Sequence, residues 1–249
     1  MRGVLSCLSA LALLAGARTA SLAQVGQPWA WGWNKYYQLG DGTTTDRPAP
    51  INLSSLSGVM QVSGGSWHSF VLNADGTLWA WGKNNEGELA IGTKDWKGSP
   101  FKIPTISGVM HIYAGQNHNL AVKSDGSVWS WGYNGYAVLG DGTGMDRWSP
   151  VKVYGLSGIV QLSGGENHSI ALKSDGTVWT WGRNDDGQLG DRTSDIWTAV
   201  PRKVPGLKDV VQLSGGRWHA LGDGTSTDRH TPVQTLNLTN QTYIRVFAQ

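Results

Sequence analysis

An all-β chain of repeated four-stranded units, each one a propeller blade, is predicted by three features: a W-x-W-G string, a G-x-x-H string and an L-G-D-G-T string. W-x-W-G ends at Gly32, Gly82, Gly132 and Gly182, so Trp31, Trp81, Trp131 and Trp181 follow one another at 50 residues. G-x-x-H places His68, His118 and His168 at the same spacing and His219 51 residues further on, the extra residue falling between Asp191 and Leu207. L-G-D-G-T starts at Leu39 and Leu139 and loosens to LAIGT at Leu89 and LGDRT at Leu189. Three markers in one register identify an array of supersecondary units, in which each copy buries its apolar face against the next.

Each unit reads as antiparallel strands. An apolar segment such as VMQVSGG is followed by HSFVLN, an Asp-Gly pair and TLWAWG. Asp75-Gly76, Asp125-Gly126 and Asp175-Gly176 are expected to supply the positive φ of a tight hairpin. In TLWAWG, Trp79 and Trp81 are two apart and share a face, with Ala80 opposite. Trp29 and Trp31, Trp129 and Trp131, and Trp179 and Trp181 repeat the pattern, so eight of the 14 tryptophans are expected to fill the space between successive sheets. A period near 50 with four strands per copy suits a propeller. A β-solenoid is the competing reading, disfavoured because its rungs are shorter.

Composition agrees, with 35 Gly and only 3 Phe among 249 residues. Residues 1–23 stand apart: Arg2, an apolar run from Val4 to Ala15, then Ser21, Leu22 and Ala23 read as a signal peptide cleaved after Ala23. The run is shorter than the roughly 20 residues that span a bilayer, so no membrane insertion is expected after cleavage. The mature domain, 24–249, would be secreted, periplasmic or at the cell surface. Cleavage removes Arg2 and Arg18 and leaves 18 basic against 18 acidic residues. Without a basic excess, nucleic-acid binding is not expected. Cys7, the single cysteine, lies within the leader, so the mature chain has no disulfide.

The strings G-[GQ]-x-x-H-[SN], S-D-G-[TS]-[VL]-W-[AST]-W-G-x-N and L-G-D-G-T resemble the repeat of the regulator of chromosome condensation family, from about Pro28 to Thr235. The resemblance implies a seven-bladed propeller, of which about four blades are present here, near 28–82, 83–132, 133–182 and 183–220, with a partial unit at 221–249. The family's founding member is a nuclear guanine-nucleotide exchange factor that sits on chromatin. Its exchange face depends on a wedge-like insertion for which these tightly spaced units leave no room.

The fourth unit departs from the pattern. His to the Leu of L-G-D spans 21 residues at 68 to 89, 118 to 139 and 168 to 189, but two from His219 to Leu221. The missing 19 residues are the Asp-Gly hairpin and its W-x-W-G, which reads as repeat collapse in an incomplete propeller. The segment around His219 could pair with the N-terminal half unit in a four-bladed ring, although identical blades keep a wedge angle suited to more of them. An open arc would expose blade edges and invite self-association.

Candidate chemistry is sparse. His68, His118, His168 and His219 would stand around a ring axis and could hold a metal, but no Asp, Glu or Cys recurs beside them. The preferred reading is structural, each imidazole satisfying buried backbone groups near the Gly turn. Asp41, Asp141, Asp191 and Asp223 fit turn formation better than calcium, because the ligand alternation of acidic loops is absent. No nucleophile elbow, paired carboxylates or phosphate loop is found, so no cofactor, metal or catalysis is expected.

Recognition is expected where copies differ on a fixed frame. Before the His stand Trp67, Asn117, Asn167 and Trp218. After L-G-D-G-T an aromatic appears as Trp96, Trp148 or Trp197, and Tyr36 and Tyr136 occupy matching positions after W-G-x-N. These residues either pad neighbouring loops or form a binding face, since aromatics bury large area at small entropic cost. The leading function is therefore an exported, non-catalytic protein-binding scaffold. An inhibitor of an extracellular enzyme such as a β-lactamase, to whose propeller-type secreted inhibitors the repeat class is similar, and a glycan-binding surface module are the alternatives.

Overall fold

The structure is a computed structural model that describes residues 26–215, together with the backbone of two short strands, Val4–Leu5 and Ile244–Ala248. The described residues contain strands and turns and no helix. In chain order β1 is Val4–Leu5, β2 Trp29–Gly32 and β3 Arg47–Asn52. Three complete blades follow. The first is β4 Val59–Gly64, β5 His68–Asn73, β6 Leu78–Gly82 and β7 Lys97–Lys102. The second is β8 Val109–Ala114, β9 His118–Lys123, β10 Val128–Gly132 and β11 Arg147–Lys152. The third is β12 Ile159–Gly164, β13 His168–Lys173, β14 Val178–Arg183 and β15 Trp197–Lys203, after which come β16 Val210–Gly215 and β17 Ile244–Ala248.

Each complete blade is an antiparallel meander in sequence order. Its first strand touches the first strand of the next blade, which makes β4, β8, β12 and β16 the inner wall. The W-x-W-G strand is the third of four, so the 28–82, 83–132 and 133–182 units cut each sheet before its outer strand; the period shows the repeat but not its phase. At the ends, β1 pairs antiparallel with β2, Val4 opposite Trp31, inside the segment read as a leader. The strand β17, within the 221–249 partial unit, pairs parallel with β16, where every complete blade has an antiparallel partner.

The hairpin turns differ from the expected form in one respect. Gly76, Gly126 and Gly176 take φ of 77°, 75° and 76°, whereas the preceding aspartates do not enter the left-handed region. Gly76 N donates to Asn73 O at 3.0 Å and Asn73 N to Thr77 O at 2.9 Å, a type I turn closed by a left-handed glycine. Asp75 acts through its side chain, whose Oδ1 accepts from Thr77 N at 2.9 Å and Thr77 Oγ1 at 2.7 Å.

The core lies in the seams between blades. Trp81 packs with Ala30, Leu39, Leu53 and Val71; Trp131 with Phe70, Leu72, Ala80 and Ile112; Trp181 with Leu120, Val122, Val128 and Ala171. All three indoles are fully buried. In the three complete blades both members of each W-x-W pair pack against the seam, but to different depths. Trp79, Trp129 and Trp179 are half-buried, because they sit at the turn end of the strand where the seam opens to solvent. Trp29 is 45% exposed and Trp31 half-buried, since no described sheet stands against their face.

A candidate recognition surface on the blade loops

The loops after W-G-x-N stand on a rigid frame. Asn34, Asn84, Asn134 and Asn184 are buried at the centre of each loop. Asn34 Nδ2 donates to Asp41 Oδ1 and to the carbonyls of Thr43 and Thr45, while its Oδ1 accepts from Leu39 N at 3.0 Å. Asn84 and Asn134 repeat the bonds to two loop carbonyls. The reciprocal bond from the Leu amide recurs at Leu89, Leu139 and Leu189. A buried amide with every site filled fixes one conformation of a long loop. Asp41 reinforces that conformation, since its Oδ1 accepts from Thr43 and its Oδ2 pairs with Arg47 at 2.6 Å. Burial works to raise the Asp41 carboxyl, but hydrogen bonds from Thr43, Arg47 and Asn34 outweigh it and hold it below the usual carboxylate range.

Each loop is also locked to the following blade. The carbonyl of Gln38 accepts from Trp81 Nε1 at 2.9 Å and Ser69 Oγ at 2.8 Å. Glu88 O takes Trp131 Nε1 and Asn119 Nδ2, and Val138 O takes Trp181 Nε1 and Ser169 Oγ. The buried tryptophan thus plugs a seam and anchors the preceding blade's loop at once.

The histidines belong to this seam chemistry. His68 Nε2 meets Asn119 Oδ1 at 2.7 Å, and His118 Nε2 meets Ser169 Oγ at 3.1 Å. The imidazoles therefore bridge to side chains of the next blade, not to backbone groups beside their own Gly turn as expected. Burial holds His68 down to about 4 and His118 to about 3. Among the described residues no group of three or more His, Cys, Asp or Glu is placed to hold a metal. Trp218, His219, Asp223, the junction at Leu221 and the expected cleavage at Ala23 lie outside the described residues.

On this frame the structure gathers four aromatic rings where the first loop meets the first complete blade. Trp33 lies 5.4 Å from Tyr36 and 5.1 Å from Trp67, and Tyr36 lies 5.0 Å from Trp67 and 5.6 Å from Trp96. Trp96 is exposed, and its Nε1 donates to Asn85 Oδ1 at 2.8 Å, which sets the ring's orientation. Tyr136, Trp148 and Trp197 are also exposed. Arg183 covers the Tyr136 ring at 5.4 Å and Lys94 the Trp148 ring at 4.9 Å.

The three loop tryptophans do not occupy one place. Trp197 faces Arg183 across β14 and β15, one step beyond the Gly182 pairing, and so matches Trp96, which precedes Lys97 opposite Gly82. Trp148 follows Arg147 on β11, and its carbonyl accepts from Gly92 N at 2.8 Å as Gly98 O accepts from Gly42 N. The extra residue in the third complete blade conceals this register in the sequence.

Between the aromatic steps lies a charged one. Glu88 is fully buried, with Lys83 Nζ 4.0 Å from its Oε1; burial raises the carboxyl against the backbone amides and the lysine. Sequence reasoning passed over Trp33, Glu88 and the Asn hub. The fixed Asn of W-G-x-N and the variable residue before it were available signals for two of them.

A description of the regulator of chromosome condensation (RCC1) repeat matches residues 26–72, 75–122, 125–172 and 175–221, and a second description of the same repeat matches 59–88, 110–137 and 159–188. The ultraviolet-B receptor UVR8 of Arabidopsis thaliana is 40% identical over 62 residues, 24% of this chain and 14% of that protein. RCC1 domain-containing protein RUG3 of the same plant, a mitochondrial protein, is 38% identical over 63 residues, 24% of this chain and 14% of its own. The chain thus matches only a small part of these relatives. Among solved structures, yeast RCC1 (Prp20) bound to Kap60 superposes with a TM-score of 0.75 at 19% identity, over 86% of this chain and 58% of that one. Prp20p from Saccharomyces cerevisiae, described with its binding to Gsp1p and histones, gives 0.63 at 24% identity over 73% and 47%. At these identities the likeness is one of fold.

Proposed function

The chain belongs to the regulator of chromosome condensation (RCC1) repeat family, and on that premise we propose that it is an exported, non-catalytic scaffold that holds a protein partner on its blade loops. The observation that carries this reading is the cluster of Trp33, Tyr36, Trp67 and Trp96, in which Tyr36 stands on the loop pinned by Asn34 and Trp96 on the loop pinned by Asn84. Trp96 is exposed and the other three rings half-buried, and aromatics held on a pre-ordered frame give up little entropy on binding and are enriched among energetically dominant contacts. That yeast Prp20 is seen with Kap60 and studied with Gsp1p supports the use of the fold for protein binding.

The test is photo-crosslinking from position 85, beside Trp96, in the full chain incubated with the producing cell's exported proteins. One discrete adduct is expected, and it should disappear when Trp96, Trp148 and Trp197 are all changed to Ser. An adduct that survives the triple change would refute the loop-face reading.

A further inference from the structure

The opposite end of the blades carries a different pattern. Lys102, Lys152 and Lys203 are the cross-strand partners of Trp79, Trp129 and Trp179, at the Asp-Gly end of each sheet. Lys123 and Lys173 approach from the neighbouring strand, Nζ lying 5.4 Å and 5.7 Å from the ring centres of Trp129 and Trp179. The second and third complete blades therefore each present a half-buried indole between two lysines, and the first presents the indole with one.

The lysines on this rim feel the charge of the turn aspartates of their own blades, Lys102 that of Asp75, Lys123 and Lys152 that of Asp125, and Lys173 and Lys203 that of Asp175, without closing on them. Among the described residues none of the five lysines makes an ion pair, whereas on the loop face Arg47, Arg147, Arg183 and Arg202 are all paired with aspartates. The indoles are tied to their own turns by bonds from Trp129 Nε1 to Ser127 Oγ at 2.9 Å and Trp179 Nε1 to Thr177 Oγ1 at 3.4 Å. One exposed aspartate, Asp75, Asp125 or Asp175, remains at each turn.

We propose that this rim binds a carboxylated polysaccharide, whose acid groups meet the lysines and whose sugar rings lie against the indoles between them. A flexible lysine can leave the ring face and keep its ammonium beside the arriving carboxylate. The indole at every step favours a sugar over an acidic peptide, which would use the lysines alone. The turn aspartates disfavour nucleic acid, whose phosphates lie about 1.7 Å apart along the helix axis and would crowd against them. Carboxylates spaced along a sugar chain can avoid the aspartates. The surface lies on the face opposite the protein-binding loops and is independent of them.

Calorimetric titration of the full chain separates these cases, using polygalacturonate, its fully methyl-esterified form, double-stranded DNA and polyglutamate. Polygalacturonate is expected to bind, more weakly as salt rises, and the ester to fail. The combined change Lys123→Gln, Lys152→Gln, Lys173→Gln and Lys203→Gln should weaken binding roughly tenfold or more without altering the melting temperature. Lys152→Arg with Lys203→Arg should retain it. No binding of polygalacturonate, equal binding of the ester, an unaffected quadruple variant, or tighter binding of DNA or polyglutamate would each overturn the proposal. Because the loop tryptophans are untouched, the quadruple variant should still give the adduct at position 85.

Discussion

The seam between the first two complete blades carries two fastenings, and the seam after the third carries only one of them among the described residues. The first has an indole plug, Trp131, and an inner-strand clamp in which Gln61 exchanges two hydrogen bonds with Ile112 while Ser63 accepts from Ala114 N. The last keeps the clamp, Gln161 with Leu213 and Ser163 with Gly215, but among the described residues closes with Val204, Val210 and Leu213 and no indole. The seam between them is the reverse: Trp181 is in place, but His111 and Tyr113 stand where the others have Gln and Ser. His111 Nδ1 is buried there without a hydrogen-bond partner among the described residues. Plug and clamp are therefore separable: the middle seam has the plug without the clamp, and the seam after the third blade has, among the described residues, the clamp without the plug.

Removing a plug should have the largest effect. Trp131→Ala and Trp181→Ala are expected to cost about 3–5 kcal/mol each, since each leaves a void and removes one of the two donors to a loop carbonyl. Urea unfolding checks this. A cost no larger for Trp181→Ala than for Leu213→Ala would break the distinction between the seams.

Acid should act on the same seams. His68 and His118 are buried with folded values of about 4 and about 3, below the ordinary imidazole value. The unfolded chain then binds more protons, so stability is present above about pH 6.5 and is lost as pH falls towards 4, by up to roughly 3 kcal/mol for His68. Melting curves at pH 7, 5.5 and 4 follow the loss, which His68→Gln should reduce. A protein that melts at one temperature throughout would contradict the burial of these rings.

The clamp ranks below. Gln161→Leu should cost about 1–3 kcal/mol by leaving Leu213 unpaired, whereas His111→Gln should restore a clamp and add about 1 kcal/mol. A stabilising Gln161→Leu would remove the clamp from the account. The loop aromatics come last, with Trp96→Ser and Trp148→Ser expected to change stability by about 0.5 kcal/mol or less.

Much of the fold was legible because a 50-residue period in tryptophan needs no knowledge of partners. Which tryptophan closes the seam was not, since Trp129 and Trp131 share a face by strand alternation and differ only in distance from the turn. The histidine contacts are hidden for a related reason: their partners, Asn119 and Ser169, lie 51 residues away and stand in the sequence only as the variable residue after the next His. In the candidate site, single aromatics were visible but their register was not. A one-residue insertion hides the equivalence of Trp96 and Trp197, and the contact of Trp33 with Trp67 arises only when neighbouring blades meet.

That Trp81, Trp131 and Trp181 join successive blades while the loop indoles Trp148 and Trp197 stand at the surface is tested most directly by hydrogen exchange at the indole Nε1 positions of the labelled protein. Those three donate to buried carbonyls at 2.9, 2.9 and 2.7 Å and should exchange only on global unfolding, while Trp148 and Trp197 exchange at once. Exchange of Trp131 and Trp181 as fast as that of Trp148 would contradict it.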